Sequence, residues 1–169
     1  MNMKTETQER EIALLKIFAF IGLFFGFGAD IIWYIWPFNG LPAHTGGIKS
    51  ATLIVQTLSA LIFTIGFAWV LIRMRITGWF SMVIGAVLGS IFTAITFGLA
   101  SGTYMTMAVH ANVINVNPPE VSSLPFLQLF FHMFLKGARF GALVGLIPGA
   151  IAGSILSFNL LSAKDEAEA

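Results

Sequence analysis

The chain has 169 residues, 57% of them hydrophobic and 10% charged, with a formal net charge of +1 and no cysteine. Soluble domains carry about a quarter charged residues, and so small a polar fraction cannot clothe a water-facing surface. A cytosolic globular domain, a disordered chain and a disulfide-stapled module are therefore excluded, as is the strongly basic face of a nucleic-acid binder. The composition, with a mean hydropathy of +0.86, leaves a small integral membrane protein built as a single transmembrane domain over 1–169.

A spanning helix needs about 20 mostly apolar residues to cross about 30 Å of hydrocarbon, so charged residues mark where spans end. Between Lys16 and Pro37 the only charge is Asp30, and the stretches Ser50–Ile72, Ile76–Pro119 and Phe140–Ala163 hold none. This predicts spans over 14–36, 51–72, 78–104 and 138–162. Pro37 with Asn39-Gly40 ends the first, Arg73–Gly78 turns the second into the third, and Pro118-Pro119 interrupts the long connection before the fourth.

Four spans put both termini on one side. That side carries six basic residues, Lys4, Arg10, Lys16, Arg73, Arg75 and Lys164, against three on the other, Lys49, Lys136 and Arg139. The imbalance predicts cytoplasmic termini in a multi-pass protein of the cell membrane. Trp33, Tyr34, Trp36 and Tyr104 fall at outer ends and Trp69 and Trp79 at inner ends, where amphipathic aromatics sit at headgroup level. The leading segment holds Glu6, Glu9 and Glu11 and no small-x-small site precedes Asp30, which favours a retained span over a cleaved signal.

The segment 123–136 is apolar but too short to cross. Joined to the fourth span it would make a helix of about 54 Å, long for one straight crossing. The expectation is a short helix at the outer interface, or re-entrant, that bends near Gly137, with a tilted extension of the last span as the other arrangement.

The most regular pattern is Gly137, Gly141, Gly145, Gly149 and Gly153, at a strict spacing of four. Small residues at that spacing let two backbones approach closely in lipid. Four residues turn a straight helix through about 400°, so the row drifts, and two neighbours are expected to share it. Shorter rows occur at Gly22/Gly26, at Ser81/Gly85/Gly89/Thr93 and at Ala60/Thr64/Ala68. Packing faces of a four-helix bundle explain them; an oligomer interface or a pore lining are the other uses. Pro148 lies inside the long row and should kink it, since it removes a helical N–H.

Asp30 is the only acid within a predicted span. It shares the face of Gly22 and Gly26. Gln128, His132, Lys136 and Arg139 form one stripe on the last helix at spacings of four, four and three. This polar cluster predicts a buried pair of Asp30 with Arg139, whose planar fork suits a carboxylate, with Lys136 snorkelling to water. The functional alternative is an ion- or proton-coupled site with Asp30 as carrier and His132 as titratable neighbour. An arginine partner would lower the carboxylate pKa and oppose proton carriage. His44 and His110 with Glu120 lack ligand spacing, so no metal is expected, and Gln56 reads as an interhelical hydrogen-bond donor.

Thiol redox chemistry needs cysteines, bundle haems need facing histidines deep in the spans, and an intramembrane aspartyl protease needs two carboxylates. Leu99-Ala-Ser101-Gly102 lacks the first glycine of a rhomboid-like serine motif. No catalytic residue, cofactor or metal is assigned. Four short spans with one acid in the first resemble the small multidrug-resistance transporters, whose chains are shorter and hold the acid deeper. The run Gly149–Phe158 resembles the last span of YqhR-type small bacterial membrane proteins and carries no catalytic group; no residue role is transferred from either. The fold expected is all-α: four transmembrane helices with glycine-mediated packing, plus a short outer helix before the last. The function expected is that of a non-enzymatic accessory, assembly or regulatory subunit whose partners are lipid and other membrane subunits or copies of itself. A homo-oligomeric channel or ion-coupled small-solute carrier using Asp30 and the glycine-rich fourth helix is the alternative.

Overall fold

The computed structural model describes residues 8–23, 46–74, 79–114 and 119–168, with side chains up to residue 157. All regular structure among them is helical. Helix α1 covers 8–23, followed by α2 (Gly46–Met74), α3 (Trp79–His110), the single turn α4 (Pro119–Ser122) and α5 (Phe126–Glu168). Three helices are long and apolar enough to cross a membrane: Gly47–Met74, Trp79–His110 and Phe126–Ser157.

The expected second and third spans fall on α2 and α3. Of the first, 14–23 is helical and 24–36 lies outside the described residues, as does the turn after Met74. Of the two arrangements open to it, the segment 123–136 takes the one continuous with the last span. From Phe126 it is the first part of α5, a single helix of 43 residues that passes Gly137 and Pro148 without a break. Nothing at Gly137 forces an end. That glycine sits against α3, and the neighbouring Lys136 and Arg139 are exposed, so both charges leave the helix without interrupting it.

Helix α3 is central. It lies along α5 for most of its length and along α2 on another flank, while α2 and α5 scarcely meet. At one end Phe18 of α1, Phe67, Ala68, Leu71 and Ile72 of α2 and Leu156 of α5 form a core, with Ile84, Leu88 and Phe92 of α3 against it. Phe67 bridges Phe18 and Phe92, each ring centroid at 6.1 Å. At the other end Leu129 and Met133 of α5 pack with Val109 of α3, under Val121 and Leu124.

The distribution of side chains is inverted relative to a soluble bundle. The buried residues of α3 are Ser81, Gly85, Gly89, Gly98, Ala100, Gly102, Thr106, Ala108 and Val109, none larger than valine. The large apolar side chains point outward, with Phe20, Leu143 and Ile147 each 70% exposed. Water would penalise that surface heavily and hydrocarbon does not. The fold is that of a protein whose solvent is lipid.

Helix α3 ends in a defined cap. Asn112 has a φ of 54°, its N–H donates to the Val109 carbonyl at 2.9 Å, and the Val113 N–H donates to the Ala108 carbonyl at 2.9 Å. This is a Schellman closure with asparagine in the left-handed position usually held by glycine. Asn112→Gly is expected to leave stability unchanged or raise it. Asn112→Val should lower it by about 1–2 kcal/mol, because a β-branched residue resists that conformation; thermal melting in detergent micelles, followed by circular dichroism, reads both.

Candidate functional site

The seam between α3 and α5 is built from two antiparallel rows spaced by four. On α3 the row is Ser81, Gly85, Gly89, Thr93, Phe97 and Ser101; on α5 it is the five glycines. Each α5 glycine lies against two successive members of the α3 row. Gly153 faces Ser81 and Gly85, Gly149 faces Gly85 and Gly89, and Gly145 faces Gly89 and Thr93. Gly141 faces Thr93 and Phe97, and Gly137 faces Phe97 and Ser101. All five therefore meet one partner helix, where two had been expected to share them. A row at four residues on helices of 3.6 residues per turn stays in register when the pair winds in the right-handed sense.

The approach leaves no room for a side chain. A Cβ on Gly89 would lie 2.6 Å from the Gly149 Cα, and one on Gly137 would lie 2.5 Å from the Ser101 Cβ. Further along, Gly98 and Gly102 of α3 receive the rings of Phe134 and Phe130, so the small residues change sides. Gly22 of α1 meets Ala60 and Thr64 of α2 in the same manner, while Gly26 lies outside the described residues.

Hydroxyls tie the seam. Ser81 Oγ donates to the Gly153 carbonyl at 2.6 Å and Ser90 Oγ to the Ala142 carbonyl at 2.6 Å. Thr93 Oγ1 lies 2.7 Å from the Gly141 carbonyl and 2.6 Å from that of Gly89, and its single proton serves both. Elsewhere Thr52, Thr64, Thr96 and Ser154 donate only to their own helix, four residues back. Cross-helix donation is thus concentrated where the backbones are closest.

Of the predicted polar cluster, Asp30 lies outside the described residues. Gln128, Lys136 and Arg139 are exposed on α5, and His132 between them is half-buried. His132 Nε2 and Thr106 Oγ1 are buried side-chain atoms without a hydrogen-bond partner. Thr106 is a position that sequence reasoning passed over, since nothing separates it from the self-bonded threonines before its burial is known. His110 donates from Nδ1 to the Thr106 carbonyl at 3.1 Å, which fixes its tautomer, and its ring packs on Phe126 at 5.2 Å. Gln56 is buried on α2. Among the described residues no three histidines or carboxylates converge as metal ligands, and His44 lies outside them.

The seam predicts opposite effects for one substitution at two glycines. Gly149→Ala should cost about 1–3 kcal/mol, because the new methyl meets backbone that cannot turn aside. Gly66→Ala on α2, where nothing lies within 4 Å of the added carbon, should stabilise by about 0.5–1 kcal/mol through helix propensity. Melting temperatures in micelles distinguish them; equal shifts would contradict the close approach. Comparison with family models, curated proteins and solved structures gives no match to this chain.

Proposed function

We propose that this chain is a non-enzymatic accessory, assembly or regulatory subunit of a membrane complex, docking through its spans, with both termini cytoplasmic at the cell membrane. The observation that carries this reading is the exposed apolar face at the start of α5. From Ser81 to Ser101 the α3 row rises about 30 Å, the thickness of bilayer hydrocarbon. Trp79 lies just before that interval and Tyr104 just after it, with Arg73 beyond one end and Lys136 and Arg139 beside the other. A bilayer placed on these marks leaves Leu127, Phe131 and Leu135 past the hydrocarbon boundary. They form one ladder at four-residue steps, and all three are more than half exposed. Apolar surface that neither lipid tails nor the described residues of the chain cover suits a protein partner.

The channel or carrier reading has less behind it. The five α5 glycines face α3 and so are not free to line a pore or to join copies. Asp30, its proposed carrier, remains the natural target for anyone pursuing that alternative.

Mass measurement after extraction in mild detergent tests the proposal. The expected particle exceeds the 18.3 kDa of the chain and contains a second polypeptide, which Phe131→Glu releases without loss of helicity. A homo-oligomer of this chain would favour the channel reading, and a lone monomer would contradict both.

A further inference from the structure

Lys136 and Arg139 stand three residues apart on α5, on neighbouring parts of its surface, and both are exposed. They lie at the level where Gly137 meets Phe97 and Ser101, the end of the glycine seam. From there Phe140, Leu143, Ile147 and Ile151 run along α5 at steps of three and four, each more than half exposed. Phe140 to Ile151 spans about 16 Å, close to the depth of one leaflet's hydrocarbon. Two cations head an apolar strip one acyl chain long.

We infer that this face of α5 binds an anionic phospholipid, the phosphate held by the Lys136 ammonium and the Arg139 guanidinium and one acyl chain laid along Phe140–Ile151. Charge complementarity selects the occupant. A guanidinium offers two parallel N–H donors that match a phosphate, and an ammonium adds a point charge beside it. An apolar strip alone would accept any lipid; the cation pair at its head makes the anionic ones preferred. The docking ladder lies on the other side of the cations along the helix, with Leu135 next to Lys136, so Phe131→Glu serves as a control that should leave lipid binding in place.

The test is binding of phosphatidylglycerol and of phosphatidylcholine to the full chain in detergent, read as lipid adducts by native mass spectrometry. Phosphatidylglycerol should be retained in preference to phosphatidylcholine. The double variant Lys136→Gln/Arg139→Gln should weaken its binding about 30-fold, the factor for two interfacial cations at about 1 kcal/mol each. The charge-keeping variant Lys136→Arg/Arg139→Lys should retain most of it. Four results would overturn the inference: equal retention of both lipids, unchanged binding by the glutamine variant, inorganic phosphate displacing the lipid at millimolar concentration, or Asp30→Asn increasing lipid binding. The third would make the site a simple anion site, and the fourth would mean that the chain's own acid already occupies the cations. Circular dichroism of each variant separates lost binding from lost fold.

Discussion

Two helix backbones, α3 and α5, touch along rows of residues too small to hold them apart, and most of the molecule is arranged around that contact. In lipid no hydrophobic effect presses helices together, because tails are as apolar as leucine. Association must come from close packing and from hydrogen bonds. The glycines supply the first by removing every Cβ from the α5 side of the seam. Ser81, Ser90 and Thr93 supply the second, because at that separation their hydroxyls reach carbonyls of the other helix. The second depends on the first: wider helices would put the acceptors beyond reach.

The remaining contacts follow a different rule. Where α1 and α2 join the pair, the core is made of Phe18, Phe67, Phe92 and aliphatic side chains, and the glycine contacts shrink to Gly22 against Ala60 and Thr64. Large side chains fill space between helices that stand further apart. At the opposite end the seam exchanges roles, and glycines of α3 house phenylalanines of α5. Among the described residues the unpartnered buried polar atoms, His132 Nε2 and Thr106 Oγ1, lie beyond the tight seam, where packing is mixed.

Much of this was legible in the sequence, and the failures have physical causes. Charge-free runs located α2, α3 and the later part of α5, because a charge in hydrocarbon is costly enough to act as punctuation. The spacing of four marked small-residue rows on both helices; that the row of Ser81, Gly85, Gly89 and Thr93 faces the five glycines comes only from the backbone placement. The expectation of two neighbours rested on straight helices; one partner can follow all five glycines when the pair winds to match the drift. The sequence left open whether 123–136 bends away near Gly137 or extends the last span, because about 54 Å is long for one crossing; in α5 it is continuous helix from Phe126. The cap at Asn112 and the buried Thr106 carry no sequence signal of their own, since each depends on the local backbone or on burial. Asp30, the residue that most suggested chemistry, lies outside the described residues, so its pairing with Arg139 stays a sequence expectation.

With its small-residue row spent internally, α5 turns large apolar side chains outward, with Lys136 and Arg139 among them. That division underlies both the docking ladder and the lipid face of α5, and it holds only if the seam closes within a single chain. Disulfide trapping tests this most directly, since the chain has no cysteine of its own and Val109 of α3 packs with Leu129 of α5, where cysteine replaces a larger side chain. The variant Val109→Cys/Leu129→Cys, oxidised in native membranes, should give a cross-linked monomer whose mobility changes on reduction. Disulfide-linked dimers in its place would show the seam to join two chains and would contradict the arrangement of α3 and α5 described above.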